Sequence, residues 1–150
     1  MLFRSRGNYI GTDASGTVPL GNVYGVRVEG ASTNNLIGGG TAADRNILSG
    51  NSAQVRLIAP GNRVSGNYVG TTADGLAVLG TPGFSHIDVN FGDNIIGTNG
   101  DGVTDAGEGN LIAQSVTYAA VIVGLSSSGN GTVVAGNRIG VSLDGNSRLG

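Results

Sequence analysis

Cysteine and lysine are absent from this 150-residue sequence, and charged residues make up only 12% of it. Without cysteine, stability has to come from packing, and this absence fits a secreted repeat protein and a cytosolic protein equally well. The eight basic residues are arginines, which are scattered singly along a chain of net charge −2. They form no basic stripe, so the sequence predicts no nucleic-acid partner.

Long apolar runs are also missing. No stretch approaches the roughly 20 residues that a membrane-spanning helix needs, so we predict no membrane span. The opening residues, Met-Leu-Phe-Arg-Ser-Arg, lack the apolar stretch of a signal peptide. His86 is the only histidine, which excludes a Ser-His-Asp triad or a multi-histidine metal site within one chain. We expect His86 to be an exposed polar residue.

Glycine, in contrast, is abundant, with 29 residues. The glycines punctuate short β-branched runs, such as those at residues 26–28 and 121–123. Glycine and asparagine at fixed offsets supply turns and left-handed backbone positions. The composition therefore predicts a folded, all-β and turn-rich chain rather than a disordered linker.

Internal repeats are the strongest pattern in the sequence. Gly-Asn-Tyr-Ile-Gly-Thr at residues 7–12 recurs as Gly-Asn-Tyr-Val-Gly-Thr at 66–71 and as Gly-Asn-Arg-Ile-Gly-Val at 136–141. A similar tail follows each copy, as residues 11–21, 70–80 and 140–150. Repeats of this kind indicate stacked units that bury their apolar sides only against their neighbours.

Three classes of short strand recur about every 30 residues, as a three-sided coil requires. We predict one β-helix segment of about four to five coils, with coil pairs at residues 7–65 and 66–135 and a partial coil at 136–150. The repeated tail would be a loop inserted after every second coil. Within a strand, Val26 and Val28 would point into a narrow core and Arg27 outward. We expect each sheet to bury one face and expose the other.

Asparagine stands at the head of many of these strands. We expect these residues to form corners and to pass side-chain hydrogen bonds from coil to coil, because asparagine tolerates a bent backbone and stacks in ladders. They are Asn8, Asn35, Asn46, Asn62, Asn67, Asn94, Asn110 and Asn137.

With the phrases Gly-Asn-Tyr-Ile-Gly-Thr-Asp-Ala-Ser-Gly-Thr at 7–17 and Arg-Asn-Ile-Leu-Ser-Gly-Asn at 45–51, the chain resembles right-handed parallel β-helix repeat proteins. These belong to the pectin-lyase-like superfamily, and the resemblance is to its bacterial surface or secreted type. It implies an extracellular or cell-surface location. It says little about activity, since this fold carries lyases, hydrolases, tailspikes, adhesins and structural segments.

Neither end of the sequence shows a capping helix or a polar cap. Uncapped ends expose unpaired strand edges, which invite association. We therefore expect either a piece of a longer protein or coils of neighbouring chains that stack end to end.

A candidate calcium loop lies at residues 97–108. Asn99, Asp101, Asp105 and Glu108 fall on ligand positions of the calcium-loop template, and Gly102 on its turn position. Gly97 stands where the leading aspartate should be, and no helix pattern flanks the loop. The alternative is a solvated acidic loop at the place that residues 38–45 occupy in the other coil pair. No cofactor is required in either case, and calcium is the one candidate.

A second candidate site is the outward face of the first strand class. The resemblance implies that this face is a candidate sugar-binding surface, because polysaccharide lyases of the superfamily bind sugar chains along a strand face. Arg56 and Asp88 would have the chemistry of a charge stabiliser and a base, or they would form an opposite-charge ladder with no catalytic role. The residues expected on this face are Arg27, Glu29, Arg56, His86, Asp88 and Asn90.

The leading prediction for function is a structural stalk or filament module, which self-associates through its open ends. A carbohydrate-binding or adhesive module is the alternative, and a polysaccharide lyase or hydrolase fragment is a third. The strand patterns favour the first without excluding the others.

Overall fold

The computed structural model describes residues 3–80, 85–115, 118–124 and 131–150. Within these ranges the regular elements are short β-strands, apart from a 3-10 helix at Ala42–Asp44 and a one-turn helix α1 at Asp105–Glu108. The strands are β1 (Arg4–Ser5), β2 (Tyr9–Ile10), β3 (Tyr24–Glu29), β4 (Leu36–Gly38), β5 (Ile47–Leu48), β6 (Ala53–Ile58), β7 (Arg63–Ser65), β8 (Tyr68–Val69), β9 (Ile87–Val89), β10 (Ile95–Gly97), β11 (Leu111–Ile112), β12 (Val121–Val123), β13 (Val133–Ala135) and β14 (Arg138–Ile139).

These strands form three sheets, and the paired strands in all three are parallel. Sheet A has the order β1-β4-β7-β10-β13, sheet B the order β2-β5-β8-β11-β14, and sheet C the order β3-β6-β9-β12. The chain therefore visits sheets A, B and C in turn, and each strand pairs with the strand three places along. We call each passage through the three sheets a circuit: β1–β3, β4–β6, β7–β9 and β10–β12 are four circuits, and β13–β14 belong to a fifth. The predicted all-β chain with parallel sheets is confirmed.

The central core consists of aliphatic columns that run across the circuits. In sheet A, Ile37, Val64 and Ile96 are paired in register, and each is fully buried. Sheets B and C contribute equivalent columns to the same cluster. In sheet C the predicted alternation is confirmed, because Val28 is buried whereas the neighbouring Arg27 is exposed. Period-two geometry thus puts one face of each sheet into the core.

A ladder of five asparagines crosses the corner between sheets A and B. Each side-chain Nδ2 donates to the Oδ1 of the asparagine in the next circuit, at distances of 2.9, 2.9, 3.1 and 2.9 Å. The backbone N–H of each donor asparagine bonds to the same Oδ1. The predicted side-chain hydrogen bonds between stacked asparagines are confirmed. The ladder runs through Asn8, Asn46, Asn67, Asn110 and Asn137.

A second, shorter ladder lies at the corner that precedes sheet A. Asn35 Nδ2 donates to Asn62 Oδ1 at 2.8 Å, and the Asn62 backbone N–H donates to Asn94 Oδ1 at 2.8 Å. The side-chain amide of Asn62 turns instead to the carbonyls of Ala59 and Pro60. At Asn62, the backbone N–H rather than the side-chain amide therefore makes the hydrogen bond to the next circuit.

Sheet B departs from the expectation that each sheet exposes its outer face. Its outward residues Ile47, Tyr68 and Leu111 are buried, and they form a second apolar cluster with Ala113 and Leu149. Loops between the strands fold back over this face, so the expectation is wrong for the three inner strands of sheet B, whereas Tyr9 and Arg138 on its edge strands are exposed. Sequence alternation alone cannot show that a loop covers a sheet from outside.

Three hairpin loops, residues 11–21, 70–80 and 140–150, follow the sheet B strands of alternate circuits. Each is closed by an antiparallel bridge, for example between Thr12 and Pro19. The Ala73 N–H donates to the Gly16 carbonyl at 3.1 Å, which links the first two loops two circuits apart. Gly16 has a φ of 68°, and a Cβ there would lie 2.6 Å from the Ala73 Cβ. Only glycine permits this close contact between the loops.

Substitution of Asn67 tests the ladder. Asn67→Ala removes the acceptor of two Asn46 donors and three bonds from its own amide. Because buried donors lose their partners, we expect the free energy of unfolding to fall by about 3 kcal/mol in urea titrations. Asn146→Ala, in an exposed loop position, is the control and should change it by less than about 0.5 kcal/mol. Equal effects of the two substitutions would contradict a stabilising ladder.

Candidate functional site

The outer face of sheet C carries the charged row that the sequence predicts. The parallel register places Arg27, Arg56 and Asp88 opposite one another on β3, β6 and β9. The Arg56 Nε lies 3.4 Å from Asp88 Oδ2, and Arg27 pairs with Glu29 at 2.6 Å. The row thus holds one opposite-charge pair between neighbouring strands, Arg56 with Asp88, and one within β3, Arg27 with Glu29.

Tyr24 belongs to the same face, although the sequence analysis does not identify it. The Arg56 Nη1 donates to the Tyr24 hydroxyl at 2.9 Å. The guanidinium carbons of Arg27 and Arg56 lie 5.3 and 5.5 Å from the centre of its ring. Two cations therefore flank one aromatic ring, at a separation where cation–π attraction holds. We define the sheet C face by Tyr24, Arg27, Glu29, Arg56 and Asp88.

Two residues predicted for this face are buried. His86 is 0% exposed and Asn90 only 9%, so the expectation that they are exposed is wrong. The imidazole of His86 lies directly against Gly70, at the start of the second hairpin loop, where an added Cβ would overlap its ring. The Asn90 side chain turns to Asp88, with its Nδ2 3.1 Å from Asp88 Oδ1. The loop removes His86 from the candidate site, and Asn90 contributes through Asp88.

Burial changes the acid–base behaviour of His86. It lowers the pKa of the imidazole from 6.5 to about 4, because a buried ring cannot solvate the charged form. Among the described residues, neither ring nitrogen makes a hydrogen bond of good geometry, and the nearby Gln114 backbone opposes the fall in pKa less than burial drives it. The residue at the same sheet position one circuit earlier, Gln54, is also buried but is bonded to Asn51.

This depressed pKa predicts a pH dependence of stability. Between pH 6.5 and about 4, the unfolded state binds a proton that the folded state excludes, so stability is complete above this window and falls within it. The loss is on the order of 3 kcal/mol. We expect His86→Gln, which copies the Gln54 position, to show a smaller loss over the same window in denaturant titrations at each pH.

Histidine NMR gives an independent measurement, because the chain has one imidazole. A midpoint near 6.5 in the folded protein would contradict the burial of His86.

The candidate calcium loop lies between β10 and β11, as residues 38–45 lie between β4 and β5, which confirms its predicted place. Its polar groups bond mainly to one another. Asp101 Oδ1 accepts the Val103 N–H at 2.8 Å, and Asp105 Oδ2 accepts the Gly102 N–H at 3.0 Å. The hydrogen bond from the Asn99 amide, at 2.8 Å, lowers the pKa of the Asp101 carboxyl.

Glu108 differs from the other three predicted ligands because it is buried. It forms an ion pair with Arg63, which lies on β7 in the preceding circuit. Among the described residues, no three acidic or histidine side chains converge so that they could hold a metal ion. The loop geometry is explained by its internal hydrogen bonds, and calcium binding stays a prediction.

Carboxylates in the hairpin loops also have structural partners. A hydroxyl within each loop lies 2.5 to 2.7 Å from the carboxylate, and this bond lowers the carboxyl pKa. The pairs are Ser15 with Asp13, Thr72 with Asp74, and Ser142 with Asp144. In the first loop the aspartate precedes the hydroxyl residue in the sequence, and in the other two loops it follows it. The same turn is therefore closed by two different residue orders.

In the part of the chain that the structure describes, no helix is long and apolar enough to cross a membrane. Comparisons with protein-family models, with curated proteins and with solved structures found no match. Inferences about function therefore depend on the geometry of the chain and on the resemblance that its repeats show.

Proposed function

We propose that the chain is a stretch of right-handed parallel β-solenoid that acts as a rigid stalk or filament element of an extracellular or cell-surface microbial protein. The observation that carries the proposal is the asparagine ladder, which continues through five circuits. The circuits are the coils of the solenoid in this proposal, and the resemblance supplies its handedness and location.

Rigidity is supported by the way in which buried polar groups are satisfied. The central ladder residues Asn46, Asn67 and Asn110 are at most 1% exposed, and each bonds to both neighbouring circuits. A fully bonded polar network inside a protein favours a single arrangement. Such a rod resists bending at each corner, which suits a structural role.

Self-association through the ends is part of this proposal. In the structure, β1, β2 and β3 pair on one side only, as do β12, β13 and β14. The asparagine-to-asparagine bonds of the ladder also have a direction, since each of the first four amides donates to the Oδ1 of the asparagine in the next circuit. The Oδ1 of Asn8 accepts no hydrogen bond from the described residues, and the Asn137 N–H bonds to none of them. One end thus offers an acceptor and the other a donor, which favours head-to-tail contact and open rows of chains.

Two neighbouring residues of β13 test the end-to-end contact. Val134 lies in the core column above Ile96, whereas Val133 lies above Ile95 on the outward side. They are similarly exposed, at 44% and 47%. We expect Val134→Asp to abolish association, because it puts a charge into the contact, and Val133→Asp to leave it intact.

Sedimentation velocity and electron microscopy provide the measurement. Wild-type and Val133→Asp chains should form rods of uniform width, and Val134→Asp should stay monomeric. Monomeric wild-type protein at all concentrations would contradict self-association but not the solenoid, which protease resistance of the monomer tests separately.

A second function is favoured by the sheet C face. An acidic polysaccharide presents carboxylates that arginine binds in a planar, bidentate manner, and Tyr24 adds an aromatic surface between Arg27 and Arg56. This face would then make the chain a carbohydrate-binding or adhesive module. The pairing of Arg56 with Asp88 is the competing arrangement that such a ligand has to displace.

A glycan array that includes acidic polysaccharides tests this second function. We expect Arg56→Ala to reduce binding about tenfold or more, since it removes a charged hydrogen-bonding group. Arg6→Ala is the matched control, because Arg6 forms a comparable surface pair with Asp44 at 3.1 Å. Absence of binding to any glycan would exclude the module and leave the stalk.

A further inference from the structure

A cleft of about 250 Å³ lies over the outer face of sheet B, between the loop that contains α1 and the third hairpin loop. Tyr68 and Leu111 contribute to its walls from β8 and β11, and Leu143 from the hairpin loop. The arginines Arg45 and Arg138 also line it. Two cations and several apolar side chains therefore surround one small space, away from the sheet C face.

Comparison of the repeats explains why this cleft exists. Tyr68 pairs in register with Ile47, and Arg138 pairs in the same way with Leu111. Two residues before Ile47 the chain has Arg45, whose guanidinium carbon lies 4.2 Å from the centre of the Tyr68 ring. We call the pair of strands β5 and β8 the earlier level. There, the side chains of Arg45 and Tyr68 fill the outer surface of sheet B.

At the pair of strands β11 and β14, which we call the later level, both of these space-filling side chains are missing. Gly109 stands two residues before Leu111, where the earlier level has Arg45. Arg138 replaces the tyrosine, and its side chain is exposed rather than buried. The cleft is thus the volume that an aromatic ring and its covering guanidinium occupy one repeat earlier.

Both arginines are held in place but lack a carboxylate. The Arg45 Nε donates to the Gly66 carbonyl at 3.3 Å, and the Arg138 Nη1 donates to the Leu143 carbonyl at 2.8 Å. Among the described residues, neither forms an ion pair. Their remaining N–H groups are free to bind an anion without further ordering of the side chains, which favours binding.

We propose that this cleft binds a short aliphatic carboxylate, either free or as the end group of a larger molecule. A planar carboxylate matches the guanidinium fork, and the carbon chain that carries it would contact Leu111 and Leu143. Inorganic phosphate has no apolar part to place against these leucines. The volume is smaller than the roughly 300–1,000 Å³ of pockets for drug-sized ligands, so the bound part is a group of few atoms.

Titration with butyrate, followed by amide NMR shifts, tests the proposal. We expect saturable shifts at the Leu143, Gly107 and Gly109 amides in the millimolar range. Acetate should bind more weakly because it has a shorter chain, and phosphate more weakly still. Butyramide, which has the same shape without the charge, should cause no shift.

Variants of the two arginines complete the test. Arg138→Tyr places an aromatic ring in the cleft, as Tyr68 does at the earlier level, and removes one of the two cations, so it should abolish binding. Arg45→Gln should weaken it about tenfold by removal of one charged partner. Arg148→Ala is the matched control, because the Arg148 side chain bonds to Gln114 and does not line the cleft.

Equal shifts with butyrate and butyramide, or unchanged butyrate binding in both arginine variants with native circular dichroism, would overturn the proposal. Phosphate binding stronger than butyrate binding would overturn the assignment to a carboxylate. None of these outcomes bears on the stalk, which the end-contact variants test.

Discussion

The hydrogen bond between the side-chain amides of stacked asparagines is the contact on which the rest of this structure depends. Asparagine carries a donor and an acceptor on one short side chain, so each copy can bond to the circuits on both sides. A buried amide without these bonds costs free energy. The polar groups at each corner are therefore hydrogen-bonded only when the neighbouring circuits are in place. This requirement sets the spacing between circuits in all three sheets.

Much of the fold can be predicted from the sequence because its repeats and its period-two alternation directly reflect backbone geometry. The inward positions Val55, Ile87 and Ile96 and the asparagine corners follow from these patterns. His86 could not be predicted, because its burial depends on the second hairpin loop, which the alternation of β9 does not describe. Gln54 shows the same burial one circuit earlier, and the sequence pattern indicates neither of them.

Candidate sites are harder to predict than the fold for a related reason. A template match, as at Asp101 and Asp105, gives the spacing of acidic residues along the chain. It does not give the direction in which their carboxylate oxygens point. In the structure those oxygens accept backbone N–H bonds. Tyr24 cannot be assigned to this face from the alternation, because it stands three residues before Arg27; its contacts with Arg27 and Arg56 in the structure show that they share a face.

The contact between hairpin loops two circuits apart has a consequence for how such a chain grows by duplication. The tips of residues 11–21 and 70–80 bond to each other, and residues 70–80 and 140–150 do the same, through Leu143 N–H to the Gly75 carbonyl at 3.0 Å. Copying one circuit would bring two hairpins side by side or separate them by an extra layer, and either would break this column. The smallest unit that can be added without breaking this column is therefore a pair of circuits.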